Sequence, residues 1–272
     1  MENGQWRQEN SVAGDCLVRG LFHLSIQKEL GRNARWKKKS KPEVACKKQA
    51  NNIMNLHSII EEEKLIQKRV AIEYRGPSGK SELIGDGIIC PKLYLSSSPR
   101  ILWILKEPYD NGTCYDNPED GGWNYPYEIN HETDKWSRMK PFQPICYINY
   151  GIWTGMHDWD EMPCLRDSEE IRNGLKKIAF INVSKEPGLK HSPSPRIIEA
   201  YKKHRGLILD QIKTYAPNII FACSPHAELI LQDLGFSSTQ WKKFGSSWSV
   251  QITSEQRLVW VYHPSSRKKR DV

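Results

Sequence analysis

The chain has 272 residues, 38% of them hydrophobic, which is enough for a full buried core, and 40 Lys and Arg against 32 Asp and Glu leave it at +8 with a sequence pI near 9.0. This modest basic excess favours an anionic partner such as nucleic acid. The apolar runs are far too short to span a bilayer and the amino terminus lacks the basic-then-apolar order of a signal peptide, so a cytoplasmic protein with no membrane partner is expected.

From the amino terminus to about residue 42, short apolar pieces alternate with basic ones, including the dense run from Arg35 to Lys41, and no independent core is in sight. From Pro42 to about Tyr74 the positions Val44, Ile53, Leu56, Ile59, Ile60, Leu65, Ile66 and Val70 predict helix, ended by Gly76-Pro77-Ser78-Gly79. Residues 1–79 are therefore read as a mainly helical extension and 80–272 as the main domain. Beyond residue 80, strand-like and helix-like segments alternate. Four short apolar runs, Arg100 to Ile104, Lys177 to Ala179, Asn218 to Ile220 and Arg257 to Val261, have the composition of strands buried on both faces. Helices are expected at about 166–177, 195–214 and 225–234, with Ser194-Pro195 and Ser224-Pro225 supplying an N-cap and a first-turn proline to the last two. The fold class that follows is α/β: a three-layer α/β/α domain around a central, mostly parallel four-stranded sheet. The alternation is broken at about 111–160 by turns and a density of aromatics that includes Trp123, Trp136, Trp153 and Trp159, which reads as a lid or binding wall. Seven cysteines at 16, 46, 90, 114, 146, 164 and 223, none in a C-x-x-C pair, argue against a disulfide framework, a zinc site or an iron–sulfur cluster.

Each expected strand runs into a polar segment: Leu105-Lys106-Glu107-Pro108-Tyr109-Asp110, Phe180-Ile181-Asn182-Val183, Phe221-Ala222-Cys223-Ser224 and Tyr262-His263-Pro264-Ser265-Ser266-Arg267. All four then sit at carboxyl ends of strands, where open α/β sheets place their ligands. This order of K-E-P-Y-D, F-I-N-V, a small-residue strand end and Y-H-P-S-S resembles the uracil-DNA glycosylase superfamily over roughly residues 84–270. In the best-known branch the motifs read G-Q-D-P-Y-H, a strand ending in L-N, and H-P-S-P-L.

The resemblance implies a monofunctional DNA glycosylase acting on a flipped pyrimidine of duplex or single-stranded DNA, as a monomer, without metal, cofactor or Schiff base. Glu107 falls on the catalytic Asp of the first motif; a fixed carboxylate there stabilises positive charge on the sugar and positions water at C1′. Asp110 is the reserve carboxylate. Tyr109 falls on the residue that blocks the C5 side of the base, and Asn182 on the one that reads its Watson–Crick edge. The Asn amide complements uracil in one orientation and cytosine in the other. His263 falls on the donor to base O2. Ser265 would hold phosphate, Ser266 and Arg267 would wedge into the duplex, and Lys268, Lys269 and Arg270 would contact its backbone. After Asn182, Ser184 or Lys185 could also reach phosphate.

The aromatic, acidic stretch, with Trp123 and Trp153 as flat walls, suits a bulky, sugar-bearing pyrimidine; because some antiviral bacterial members of the superfamily remove glucosylated hydroxymethylcytosine from phage DNA, the resemblance implies that base and an antiviral role. Uracil or another deaminated base is the alternative substrate. A catalytically silent protein that binds modified DNA is the alternative class.

Overall fold

The computed structural model describes residues 42–73, 83–108, 124–155, 159–186, 188, 193–223, 225–244 and 247–265. Four strands form its centre: β2 (Ile101–Leu105), β3 (Ala179–Asn182), β4 (Ile219–Cys223) and β7 (Arg257–Val261). They lie side by side and parallel, in the order β3-β2-β4-β7. Their residues alternate between two cores. Ile101, Trp103 and Leu105 of β2, with Phe180, Phe221 and Val259, face one cluster, while Leu102 and Ile104, with Ile181, Ala222 and Leu258, face the other. Because both faces are covered, these strands read as unbroken apolar runs rather than as period-two patterns.

The sheet is wider than four strands. Among the described residues it has seven, because short antiparallel strands extend both edges: β1 (Gly87–Ile88) beside β3, and β6 (Ser247–Gln251) then β5 (Lys242–Phe244) beyond β7. The expectation of a four-stranded sheet is corrected accordingly. Polar edge strands carry little of the apolar signal that marked the central four. The exposed Lys242 and Lys243 of β5 also discourage further strand pairing at that edge.

Helices cover both faces. On the first, α3 (Tyr125–His131), α4 (Thr133–Ser137), α5 (Phe142–Thr154) and α6 (Glu169–Asn173) enclose a core in which Tyr125 meets Phe180 at 4.9 Å and Trp103 stacks on Phe221 at 4.3 Å between ring centroids. The stretch expected as a lid thus forms, over residues 124–154, most of a helical layer. Tyr125, Trp136, Phe142 and Tyr147 pack on this face of the sheet while Tyr127 stays exposed, and three short helices broken by turns hid their helical period. On the second face lie α1 (Pro42–Glu73), α2 (Pro91–Ser96), α7 (Ser194–Tyr215) and α8 (Ala227–Asp233).

The long α1 is joined to the domain rather than standing apart from it. Ile59 enters the second core, Ile66 and Val70 pack with Leu83 and with Leu207 of α7, and Arg69 pairs with Asp210. In α7 the proline stands inside the first turn, as expected, but Ser194 is the first helical residue and makes no side-chain cap. His226, rather than Ser224, occupies the cap position of α8. None of the described helices is long and apolar enough to cross a membrane.

Candidate functional site

Strand register sets the site. Leu105 of β2 pairs with Asn182 of β3, Ile104 with Ala222 of β4, and Cys223 with Val261 of β7, so the carboxyl ends of all four central strands finish level. Neighbouring strands stand about 4.8 Å apart, which puts the residues following β7 about 10 Å from those following β2. Glu107, Asn182 and His263 therefore border one end of the sheet, with His226, beyond β4, between them.

The Glu107 side chain is only 2% exposed, and Arg196, in the first turn of α7, brings Nε to 3.5 Å from Oε2. Neither carboxylate oxygen has a hydrogen-bond partner among the described residues. Behind it lies Gly188, where a Cβ would stand 2.1 Å from the Glu107 carboxyl carbon. The Gly188 N–H donates to the Pro108 carbonyl at 2.7 Å, which keeps the turn after β3 against this carboxylate. A glycine is needed here for close approach alone.

Asn182 is buried, and its side-chain Nδ2 has no hydrogen-bond partner among the described residues. Its main chain is held by a buried network: the N–H donates to Asp86 Oδ2 at 2.7 Å and the C=O accepts from Lys185 Nζ at 2.8 Å. Lys185 also contacts both Asp86 oxygens, at 2.9 and 2.6 Å, and Gln211 Oε1 at 3.1 Å. The DNA contact expected of Lys185 is therefore corrected. Its ammonium is fully buried, and its donors are taken by Asp86, Asn182 and Gln211.

His263 is half-buried, and the Ser265 backbone N–H donates to its Nδ1 at 3.2 Å. Nδ1 is then the acceptor of a neutral ring, and Nε2 carries the proton. Desolvation first, and the nearby Lys106 charge second, push its pKa down from 6.5 to about 4. His226 is fully buried with Nε2 at 3.1 Å from the Ile104 carbonyl, so Nε2 donates and Nδ1 is an acceptor with no hydrogen-bond partner among the described residues. Desolvation pushes its pKa down to about 3; the bond to Ile104 works against this, and Lys106 and His263 add to it. Both imidazoles are neutral at physiological pH.

Of the other expected site residues, Ser265 is exposed beside His263. Trp153 is misplaced by the sequence reading. It lies in the last turn of α5, its Nε1 donates to the Pro99 carbonyl at 2.9 Å, and Lys177 Nζ sits 5.4 Å from its ring centroid. Pro99 precedes β2, so Trp153 stands at the opposite end of the sheet, on the order of 25 Å along the strand direction from Glu107. Tyr109, Asp110, Trp123, Ser266, Arg267, Lys268, Lys269 and Arg270 lie outside the described residues.

Reasoning from sequence missed His226, Arg196, Gly188 and Asp86. His226 had a usable signal, since Pro225-His226 follows the β4 run closely. Gly188 had a weaker one in the turn Lys185-Glu186-Pro187-Gly188. Arg196 and Asp86 had none, because only the fold brings them to their partners.

Among the described residues no three His, Cys, Asp or Glu side chains are grouped so as to hold a metal ion. This end of the sheet can chemically offer one buried anion, one amide donor and one neutral imidazole N–H. No family model, no curated protein and no solved structure matches this chain.

Proposed function

We propose that the chain is a DNA glycosylase that hydrolyses the N-glycosidic bond of a flipped pyrimidine. One observation carries the reading: Glu107, Asn182 and the neutral His226 have side chains buried at the level carboxyl ends of adjacent strands, and each presents side-chain atoms with no hydrogen-bond partner among the described residues, while His263 beside them holds an Nε2–H donor. Buried polar groups are nearly always satisfied, so a cluster of exceptions at one sheet end fits groups that meet a ligand.

In this mechanism the C1′–N bond breaks and its electron pair leaves with the base. His263 Nε2–H donates to the base oxygen on which that charge collects. The Glu107 carboxylate faces the cationic sugar and accepts a proton from the water whose oxygen bonds to C1′. Asn182 Nδ2 donates to the Watson–Crick edge, a contact that both uracil and cytosine derivatives provide. The Arg196 guanidinium, 40% exposed, lies against the same carboxylate that the sugar would meet.

A sugar-bearing base such as glucosylated hydroxymethylcytosine needs room and a recognition surface. Trp153 stands at the far end of the sheet and Tyr125, Trp136 and Tyr147 pack in the helical layer, so none of these four aromatics supplies that surface. The test is base release, read by mass spectrometry, from DNAs containing uracil, hypoxanthine, hydroxymethylcytosine or its glucosylated form. Release by the wild type and loss of release in Glu107→Gln, with DNA binding retained, is the expected result. DNA binding without release from any substrate would replace catalysis with recognition.

A further inference from the structure

The network beneath Asn182 is larger than a fold needs to satisfy one strand end. β1 begins at Gly87, opposite Phe180, and runs away from Asn182, so the Asn182 N–H faces a position with no strand partner. The Asp86 side chain takes that place and accepts the N–H at 2.7 Å. Its cation, Lys185, returns from three residues later in the chain to donate to the Asn182 carbonyl at 2.8 Å. Gln211 on α7 closes the ring: its amide donates to Asp86 Oδ1 at 3.1 Å and accepts from Lys185 at 3.1 Å. The same Gln211 nitrogen also contacts Tyr215 Oη at 3.1 Å, and Tyr215 bonds in turn to Glu63 of α1. Asp86, Lys185, Gln211 and Tyr215 are all essentially inaccessible.

A buried ion pair is a weak source of net stability, because desolvating two charges offsets most of their attraction. Its value is geometric when both members of the pair also hold one further target. Here the shared target is the backbone of a single residue, on both its N–H and C=O sides. That residue's side-chain amide nitrogen has no hydrogen-bond partner among the described residues and borders the candidate site.

We infer that Asp86 and Lys185 are positioning residues for Asn182, a pair that clamps its main chain so that its side-chain amide meets the base in one fixed pose. The inference rests on the glycosylase reading for the ligand, but the clamp itself is a property of the protein alone. A merely structural pair would set how much protein folds. A positioning pair sets how well folded protein uses Asn182, and its effect vanishes once the Asn182 side chain is gone.

The experiment uses the full chain and the charge-neutral double variant Asp86→Asn/Lys185→Met, each with and without Asn182→Ala. Base release from the substrate identified in the panel is measured by single turnover, and binding to a duplex with a tetrahydrofuran abasic site is measured alongside. Selective ¹⁵N-asparagine labelling reports the Asn182 backbone and side-chain amides, assigned by their loss in Asn182→Ala. The clamp predicts a fall in the cleavage rate on the order of 100-fold with abasic-duplex affinity unchanged within about twofold. It also predicts less than about threefold further loss in the Asn182→Ala background, and at least tenfold faster exchange of the Asn182 backbone N–H. Equal loss in both backgrounds, or unchanged Asn182 signals, overturns it. If the wild type releases no base, the glycosylase reading fails and the amide signals alone decide the clamp. Should the double variant not fold, Gln211→Leu, which keeps the ion pair and removes a hydrogen bond from each member, is judged by the same criteria.

Discussion

Burial pushes the Glu63 carboxyl of α1 from 4.5 up to about 7; desolvation is the main cause and the nearby Asp86 charge adds to it, against hydrogen bonds from Tyr215 and Gln67 and the charge of Lys185. An unfolded Glu63 gives up its proton near 4.5, while the folded one keeps it to about 7. The native state therefore holds the extra proton between those values. The stability that goes with it is complete below 4.5, drains away as pH rises to about 7, and is absent above. Between 4.5 and about 7, at about 1.4 kcal/mol per pH unit, the loss is on the order of 3 kcal/mol. Glu63→Gln keeps the shape and an acceptor for Tyr215 while removing the titration. Urea unfolding at pH 5 and pH 9 should then show near-equal stability of variant and wild type at pH 5, and a variant more stable by about 3 kcal/mol at pH 9. An identical difference at the two pH values would mean that the carboxyl is hydrated and that the network does not bury it.

Gly188→Ala sets a methyl into the Glu107 carboxylate, 2.1 Å from its carbon, so base release should fall by about 100-fold or more while circular dichroism reports a folded protein. Trp153→Phe removes the hydrogen bond to Pro99 and should cost about 1 kcal/mol in urea unfolding, with base release unchanged because the residue stands at the other end of the sheet. On the acid side the sign is opposite to that of Glu63. Unfolded imidazoles take protons near 6.5, whereas His263 and His226 resist to about 4 and about 3, so the stability they contribute is complete above 6.5 and lost as pH falls toward those values. For His226 the loss amounts to on the order of 5 kcal/mol by pH 3, and His226→Gln should flatten the acid limb of a stability-against-pH curve. An acid limb of the same steepness in the variant would place the proton uptake elsewhere.

The legible parts of the molecule are those where local chemistry and tertiary packing agree. β2 and β4 are apolar on both faces, and α7 carries Pro195 in its first turn above an apolar stripe of Ile197, Tyr201, Ile208 and Ile212, so each could be read from adjacent residues. The edge strands were illegible because Lys242-Lys243-Phe244 and Ser247 to Gln251 pair through their backbones with little apolar signal. In the candidate site, Glu107, Asn182 and His263 were readable from their place after strands. Lys185 was misread because a lysine in a polar turn after a strand looks solvent-exposed, and its partner Asp86 lies 99 positions earlier. Trp153 was misread for a related reason: an aromatic cluster in sequence does not tell which end of a sheet it will reach.

Base release by the full chain from the four-member DNA panel, beside Glu107→Gln and Asn182→Ala, tests the central claim most directly. The account predicts that the wild type frees one pyrimidine and leaves an abasic site, that Glu107→Gln binds the same DNA without freeing it, and that Asn182→Ala loses discrimination between bases. Release undiminished in Glu107→Gln, or no release by the wild type from any member of the panel, would contradict it.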